Sequence, residues 1–179
     1  MVKNILKILG LFLFYLVILG MVFCLGYIFA IFVPAEKLLF LKQSWECQQK
    51  EVNRDNLAIL INEYRLQNSR EMLKSNEVLE KFAQARAEEL FTKKIFTHQS
   101  QLGTFNQWQK KNLERSERIR VEEVAELIAQ GARNACEVVE SWKTSLTHNN
   151  ALLDADYQLM GLGISGNVVV LELATSPQQ

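Results

Sequence analysis

The sequence predicts an α+β domain, with helices covering a sheet, behind an N-terminal membrane segment. Three observations lead to this prediction. Residues 8–33 contain no charged side chain. Apolar residues recur at helical spacing between residues 55 and 145, and two β-rich segments joined by a glycine turn close the chain. Helices that precede a terminal hairpin indicate the α+β class.

The overall composition conceals the division between the two parts. The 179 residues carry 20 basic and 20 acidic side chains and are 49% hydrophobic, which on average describes an ordinary soluble domain. Lys3 and Lys7 are the only charged residues before Pro34, so the rest of the chain has a small acidic excess. A nucleic-acid partner is therefore not expected, because no basic excess is available to neutralise phosphates.

The uncharged run over residues 8–33 predicts an uncleaved membrane anchor. As a helix at about 1.5 Å per residue it exceeds the ~30 Å hydrocarbon core of a bilayer. A cleavable signal peptide has an apolar core of only about 7–15 residues, followed by a small-residue cleavage site, and residues 30–35 form a poor site. A lipid-modified Cys24 would require a small residue before it, where Phe23 stands.

These signals divide the chain into an anchor over residues 1–34, a juxtamembrane stalk over residues 35–54 and a folded domain over residues 55–176. Basic residues occur on both sides of the span and give no strong indication of its orientation. A span so near the N-terminus usually keeps its short end inside. We therefore expect a single-pass membrane protein with the domain on the extracytoplasmic side.

Three amphipathic helices are predicted, over residues 55–67, 75–93 and 134–145. Ser75 is the expected N-cap of the second helix, and Leu146 is expected to extend the apolar face of the third. Helices should dominate up to about residue 95, because no glycine or proline occurs in the domain before it. The predicted buried stripes are Leu57, Leu60, Ile61 and Tyr64; Leu79, Phe82, Ala83, Ala87 and Leu90; and Ala135, Val138, Val139 and Trp142.

The remaining elements are shorter. Residues 105–112 are predicted as a short helix with Phe105 and Trp108 facing inward. Residues 159–165 and 168–175 are predicted as strands joined by a turn, because they are rich in β-branched and apolar residues. Residues 121–128 alone are also compatible with a helix, since their valines and isoleucine have helical spacing.

The chain has two histidines, His98 and His148, and each follows a threonine at the predicted end of a helix. Loops held by packed helices often carry functional residues. Two neutral imidazoles and a carboxylate can bind zinc in an open, three-ligand arrangement. The alternative is that both histidines are ordinary surface residues, because no metal-binding motif surrounds them.

Several segments also fit a known pattern in order. Residues 62–65 (NEYR) resemble an N-x-x-R motif, residues 96–100 (FTHQS) an F-S-H loop, and residues 160–164 (MGLGI) an x-G-V-G-V strand. Residues 78–90 resemble an alanine-rich helix, and residues 138–153 are similar to V-x-x-W-x-x-S-x-x-H-x-x-x-I-L. Together they resemble bacterial SCP-like domains of the CAP superfamily, which includes cysteine-rich secretory, antigen 5 and pathogenesis-related proteins.

The resemblance implies an α-β-α sandwich with a cleft formed by His98, Glu126 and His148, which would be candidate ligands of a divalent metal such as zinc. Residues 125–129 (AELIA) align with the family's G-E-N-I-A motif, without its glycine and asparagine. In a strand, Glu126 would share a face with Ile128 and could point into the cleft. In the alternative helix, Glu126 would be one of several solvated acids.

Three functions follow as alternatives. The first is a tethered extracytoplasmic domain whose cleft binds a small ligand, a lipid, a metal or a partner peptide. The second is a metal-assisted hydrolase in which Glu126 acts as base or ligand, with Ser100 and Ser145 as candidate nucleophiles. It lacks support from a G-x-S-x-G or H-E-x-x-H motif. The third is a purely structural cell-surface interaction protein.

The three cysteines fall in different regions. Cys24 lies in the predicted span, whereas Cys47 and Cys136 would lie outside the membrane, where a disulfide is allowed. Such a bond would join the stalk to the third helix. Alternatively, Cys136 is a small apolar residue at a buried helix position.

Overall fold

The computed structural model describes residues 11–24, 37, 42 and 45–176. The chain divides into two compact units, residues 1–46 and residues 47–179. In the first unit residues 11–24 are helical and expose their apolar side chains. No helix within the described residues has the length and apolar character needed to span a bilayer. The other parts of the predicted anchor, residues 1–10 and 25–34, lie outside the described residues.

The second unit has an α+β fold, as the sequence predicts. Its sheet has the strand order β1-β3-β4-β2. Strand β1 runs parallel to β3, and the hairpin of β3 and β4 continues through β4 into an antiparallel pairing with β2. The elements are α1 (Arg54–Gln67), β1 (Lys74–Ser75), α2 (Glu77–Lys93), α3 (Phe105–Asn112), β2 (Val124–Gln130), α4 (Ala135–Thr144), α5 (Leu146–Leu152), β3 (Leu159–Ser165) and β4 (Val168–Ala174).

Helices cover both faces of the sheet, and each face has its own apolar packing. Alternate strand residues face opposite sides, so Leu127 and Leu171 pack with α1 and α4, whereas Ile128 and Val170 pack with α2. Helix α3 joins the α2 side through Phe105 and Trp108, as the sequence predicts. All three predicted helical stripes contribute buried side chains to these layers.

The start of α2 differs from the sequence prediction. Ser75 is not its N-cap, because Ser75 belongs to β1 and aligns with Met160 of β3. The cap is Asn76, whose side-chain oxygen accepts hydrogen bonds from the backbone N–H groups of Val78 and Leu79. Asn76 is an equally suitable capping residue, and the strand pairing determines which of the two neighbours takes this position.

The predicted third helix is interrupted after Thr144. Ser145 has extended backbone angles, and a separate helix, α5, begins at Leu146. Leu146 therefore does not continue the buried face of α4, and it is 77% exposed. For the same reason His148 lies within a helix, whereas the sequence placed it in a loop.

Residues Val124–Gln130 form a strand, so the extended alternative suggested by the family resemblance is correct. Strand β2 lies at one edge of the sheet. Glu126 and Ile128 consequently lie on the face that α2 covers. The helical spacing of Val121, Val124 and Ile128 is misleading, because Val121 lies in the loop before β2 and only the other two belong to the strand.

A disulfide joins Cys47 to Cys136, with their Cα atoms 5.8 Å apart, and it spans a sequence separation of 89 residues. It connects the segment before α1 to the first turn of α4. Beside it, the backbone N–H of Ala135 donates to the carbonyl of Lys50. Within the described residues Cys24 is a free, exposed cysteine.

Gly163 allows α2 to lie directly on β3. A Cβ atom at this position would overlap the backbone of Ala83 in α2, and backbone atoms cannot move aside as a flexible side chain could. We therefore expect Gly163→Ala to lower the free energy of unfolding by about 3 kcal/mol, measured by urea denaturation. Gly131→Ala is the control, because no heavy atom lies within 4 Å of its Cβ position and only its positive φ is strained. Its expected cost is about 1 kcal/mol, and equal losses would contradict the close-approach explanation.

Candidate functional site

The structure brings together the three residues expected to form the cleft. His98 follows α2 in a loop, Glu126 lies on β2, and His148 lies on α5. The Nδ1 atom of His98 is 2.9 Å from Oε1 of Glu126. The rings of His98 and His148 meet edge to face with their centroids 6.2 Å apart. Because α5 packs with the α1 side through Leu152, the cleft joins both helical layers at the β2 edge of the sheet.

Arg86 holds Glu126 in place. Arg86 is not among the site residues predicted from the sequence. Its side chain is 1% exposed. Its Nε donates to Oε2 of Glu126 at 2.6 Å, its Nη1 donates to Glu89 at 2.8 Å, and its Nη2 donates to the carbonyl of Thr97. Burial alone lowers the pKa of Arg86, but hydrogen bonds and negative charge from Glu126 and Glu89 outweigh burial and raise this pKa. The guanidinium thus stays charged and fixes the carboxylate.

Glu89 anchors the other side of Arg86 and the loop that carries His98. Its carboxylate also accepts hydrogen bonds from Lys93, the Ser100 hydroxyl and the backbone N–H of Gln101. Burial acts to raise the pKa of Glu89, but these hydrogen bonds and that from Arg86 together lower it to about 2. Glu89 therefore stays ionised at neutral pH and ties the loop to α2.

The two imidazoles differ in their environment. The His98 side chain is 62% exposed, whereas His148 is half-buried. Burial, followed by the proximity of His98, lowers the pKa of His148. His148 is consequently neutral at pH 7 and can use a ring nitrogen as a hydrogen-bond acceptor. Donation from Nδ1 of His98 to the Glu126 carboxylate leaves the Nε2 of His98 available as well.

A second carboxyl group, that of Glu172, lies beside Glu126. The two residues are aligned partners on β4 and β2, so their side chains share the α2 face of the sheet. Glu172 is 1% exposed, and its buried Oε1 has no hydrogen-bond partner. Burial raises the pKa of Glu172 well above its ordinary value, the charge of Glu126 adds to this increase, and Arg86 opposes it.

Four of these groups, Arg86, His98, Glu126 and Glu172, border a cavity of about 370 Å³, and His148 lies beside it against His98. This volume lies within the range of small-molecule sites. Its lining combines apolar and polar side chains: Phe82, Arg86, His98, Ser100, Gly103, Thr104, Phe105, Val124, Glu126 and Glu172. The cavity can therefore offer both hydrogen-bonding groups and an apolar wall to a ligand.

The donor set does not fit the three-ligand zinc site suggested by the resemblance. Glu126 is hydrogen-bonded to His98 itself and to Arg86 and does not stand beside the histidine as a separate ligand, although its Oε2 keeps a lone pair for one further hydrogen bond. Across residues 11–24, 37, 42 and 45–176, no group of three or more histidine, cysteine, aspartate or glutamate side chains is arranged to hold a metal ion. We therefore derive no metal chemistry from this cleft.

The predicted serine nucleophiles are also not arranged for attack. The hydroxyl of Ser100 donates to Oε2 of Glu89 at 2.6 Å. Ser145 lies at the junction of α4 and α5 and makes no capping hydrogen bond through its side chain. In the described part of the chain, neither hydroxyl is hydrogen-bonded to an imidazole, which is the arrangement that activates a serine.

The sequence contained a signal for both missed residues. Arg86 is a charged residue within the apolar stripe of α2, and Glu172 is the one charge in the apolar run of β4. Charged side chains are rarely buried without a partner or a functional reason. An isolated charge at a position whose periodicity requires burial is thus a useful indicator of a site.

Comparison with known proteins supports the fold and its family. Residues 59–168 match the CAP family, described as the cysteine-rich secretory protein family. A search of curated proteins returned no significant match. Among solved structures, an extracellular protein containing an SCP domain from Bacillus anthracis str. Ames is similar, with a TM-score of 0.62 and 17% identity. The similarity covers 68% of this chain and 40% of the Bacillus chain.

Two further bacterial structures are similar. A cysteine-rich secretory protein from Staphylococcus aureus subsp. aureus Mu50 has a TM-score of 0.58 and 21% identity, and the match covers 70% of this chain and 40% of that one. An outer surface protein from Borrelia burgdorferi has a TM-score of 0.57 and 24% identity, with 69% of this chain and 94% of that chain covered. At these identities the likeness establishes the shared fold.

Proposed function

Because the chain belongs to the CAP family of cysteine-rich secretory proteins, we propose that it is a membrane-tethered, extracytoplasmic binding domain. Its cleft at His98, Glu126 and His148 holds a small ligand. The observation that carries this proposal is the convergence of two imidazoles and a buried ion pair beside a cavity of small-molecule size. These side chains come from four segments: α2, the loop after it, β2 and α5. Folding of the domain does not by itself require the ring of the half-buried His148 to pack against the ring of His98.

Two observations support the extracytoplasmic location. The Cys47–Cys136 disulfide is of a kind that persists in oxidising compartments. The similar structures are described as an extracellular protein, a secretory protein and an outer surface protein. In this proposal residues 8–33 are the membrane tether, because they contain no charge.

The chemistry of the cleft favours recognition over catalysis. The cations Arg86 and Lys93 balance the carboxylates of Glu89 and Glu126, so this network has little net charge with which to attract an ion. The lowered pKa of His148 favours its neutral form. The Nε2 of His98, the ring nitrogens of His148 and the remaining lone pair on Oε2 of Glu126 offer fixed hydrogen-bonding positions. Such a preorganised polar set fixes the orientation of a bound molecule at low entropic cost.

Binding can be tested by NMR, because the full chain has only two imidazoles to observe. We expect a ligand found by screening small neutral and charged molecules to shift the ring signals of both His98 and His148. His148→Ala should weaken its binding about tenfold, equivalent to about 1.4 kcal/mol. Asn150→Ala is the control, because Asn150 is an exposed residue of the same helix and should leave the affinity unchanged. A screen in which no molecule shifts both rings would refute the proposed cleft.

A further inference from the structure

Glu172 is a buried acid without a structural explanation. In the described part of the chain, the Oε1 of Glu172 is the one buried carboxylate oxygen that lacks a hydrogen-bond partner. Leaving a polar atom buried and unpaired costs about 1–3 kcal/mol, so it commonly marks a position where a partner binds. Glu172 does not belong to the imidazole cleft itself, but it borders the adjoining cavity.

We propose that Glu172 recognises a hydroxyl group of a neutral sugar or polyol that enters this cavity. The proposal rests on the proposed binding function and assigns its ligand class. It follows from the position of Glu172 opposite Glu126 on adjacent strands, with both side chains on the cavity face.

A hydroxyl group matches this carboxyl pair. Glu126 is held as a hydrogen-bond acceptor, because its Oε2 accepts from the guanidinium of Arg86. Burial raises the pKa of Glu172 well above its ordinary value, which favours the protonated form of this carboxyl group and gives it an O–H donor. A hydroxyl can accept from Glu172 and donate to Glu126 through a single oxygen atom.

The rest of the cavity also favours a neutral, hydroxyl-bearing ligand. An anion would face the Glu126 carboxylate, and a cation would have to compete with Arg86 for that same carboxylate. The apolar side chains of Phe82, Phe105 and Val124 provide a wall for the C–H faces of a sugar ring. The cavity thus offers carboxyl groups to the O–H groups of a sugar and apolar side chains to its C–H groups.

Ligand-observed NMR on the full chain tests this assignment. The protein is held in a detergent without sugar headgroups, and D-glucose is the probe, with N-methylacetamide and acetate as matched amide and anion probes. We expect glucose to bind and the other two not to bind. Glu172→Leu should weaken glucose binding at least tenfold, whereas Glu172→Gln, which keeps a donor and an acceptor in the same shape, should change it less than threefold.

Thermal unfolding shows whether a loss of glucose binding by Glu172→Leu reflects misfolding. Leucine fills the site without an unpaired polar atom, so this variant should keep or raise the Tm of the parent protein. Absence of glucose binding, equal binding by Glu172→Leu, or preferential Glu172-dependent binding of N-methylacetamide would each overturn the assignment. If glucose fails while another molecule shifts both histidine rings, the binding function stands and only the ligand class is wrong. If no molecule shifts either ring, both proposals fail.

Discussion

Replacing Arg86 with methionine is expected to lower the free energy of unfolding by about 3–5 kcal/mol. Arg86 is fully buried and is shared by Glu89 and Glu126. Its removal leaves Glu126 without this cation and leaves Glu89 with the partly exposed Lys93 in its place. Methionine fills much of the volume, which makes the lost charge rather than a cavity the main cause. Urea denaturation followed by circular dichroism measures the change.

Arg54→Met provides a matched control for this prediction. Arg54 also lies on a helix and pairs with Glu80 at 3.6 Å, but its side chain is 44% exposed. An exposed ion pair contributes about 0–1 kcal/mol, so this variant should remain close to the parent protein. Similar losses for the two variants would mean that the buried network around Arg86 is not specially important for stability.

Removing the disulfide is the second change with a large expected effect. The Cys47→Ala/Cys136→Ala variant should lose about 2–5 kcal/mol, because the bond restricts the unfolded chain across a separation of 89 residues. Cys24→Ala is the control and should not affect the unfolding of the domain, since Cys24 is free. Chemical denaturation without a reducing agent measures both variants.

The same bond reports the location of the domain. Under the proposed extracytoplasmic location, Cys47 and Cys136 are oxidised to the disulfide in the cell. When intact cells are treated with a thiol-alkylating agent and the protein is then denatured in that agent without a reductant, both residues should remain unmodified. Quantitative alkylation of both residues would show that they are reduced in the cell. That result would contradict the extracytoplasmic location and the contribution of the disulfide to stability there.

Local patterns predicted the parts of the fold that depend on neighbouring residues. The stripes of α1, α2 and α4 and the final hairpin follow from periodicity, because burial of one face is encoded in residues a few positions apart. Strand β1 could not be predicted in this way, since two residues carry no period. It exists because Lys74 and Ser75 pair with Leu159 and Met160, which lie far along the chain.

The candidate site shows the same limit. The position of Glu126 on a strand came from the family resemblance rather than from its local spacing, which favoured a helix. Neither source indicated that Arg86 binds Glu126, because 40 residues separate them and only the packing of α2 on the sheet brings them together. Two positions in the sequence were a clue to these contacts: Arg86 is a charge on the apolar stripe of α2, and Glu172 is a charge in the apolar run of β4.

The tautomer of His98 tests the central claim most directly, namely that an Arg86-held Glu126 orients His98 beside His148. Nitrogen-15 shifts of the two imidazoles and NOEs between their ring protons report this arrangement. We predict that the neutral form of His98 carries its proton on Nδ1, donated to Glu126, and that NOEs connect the two rings, whose centroids are 6.2 Å apart. A His98 protonated on Nε2, without an NOE to His148, would contradict the account.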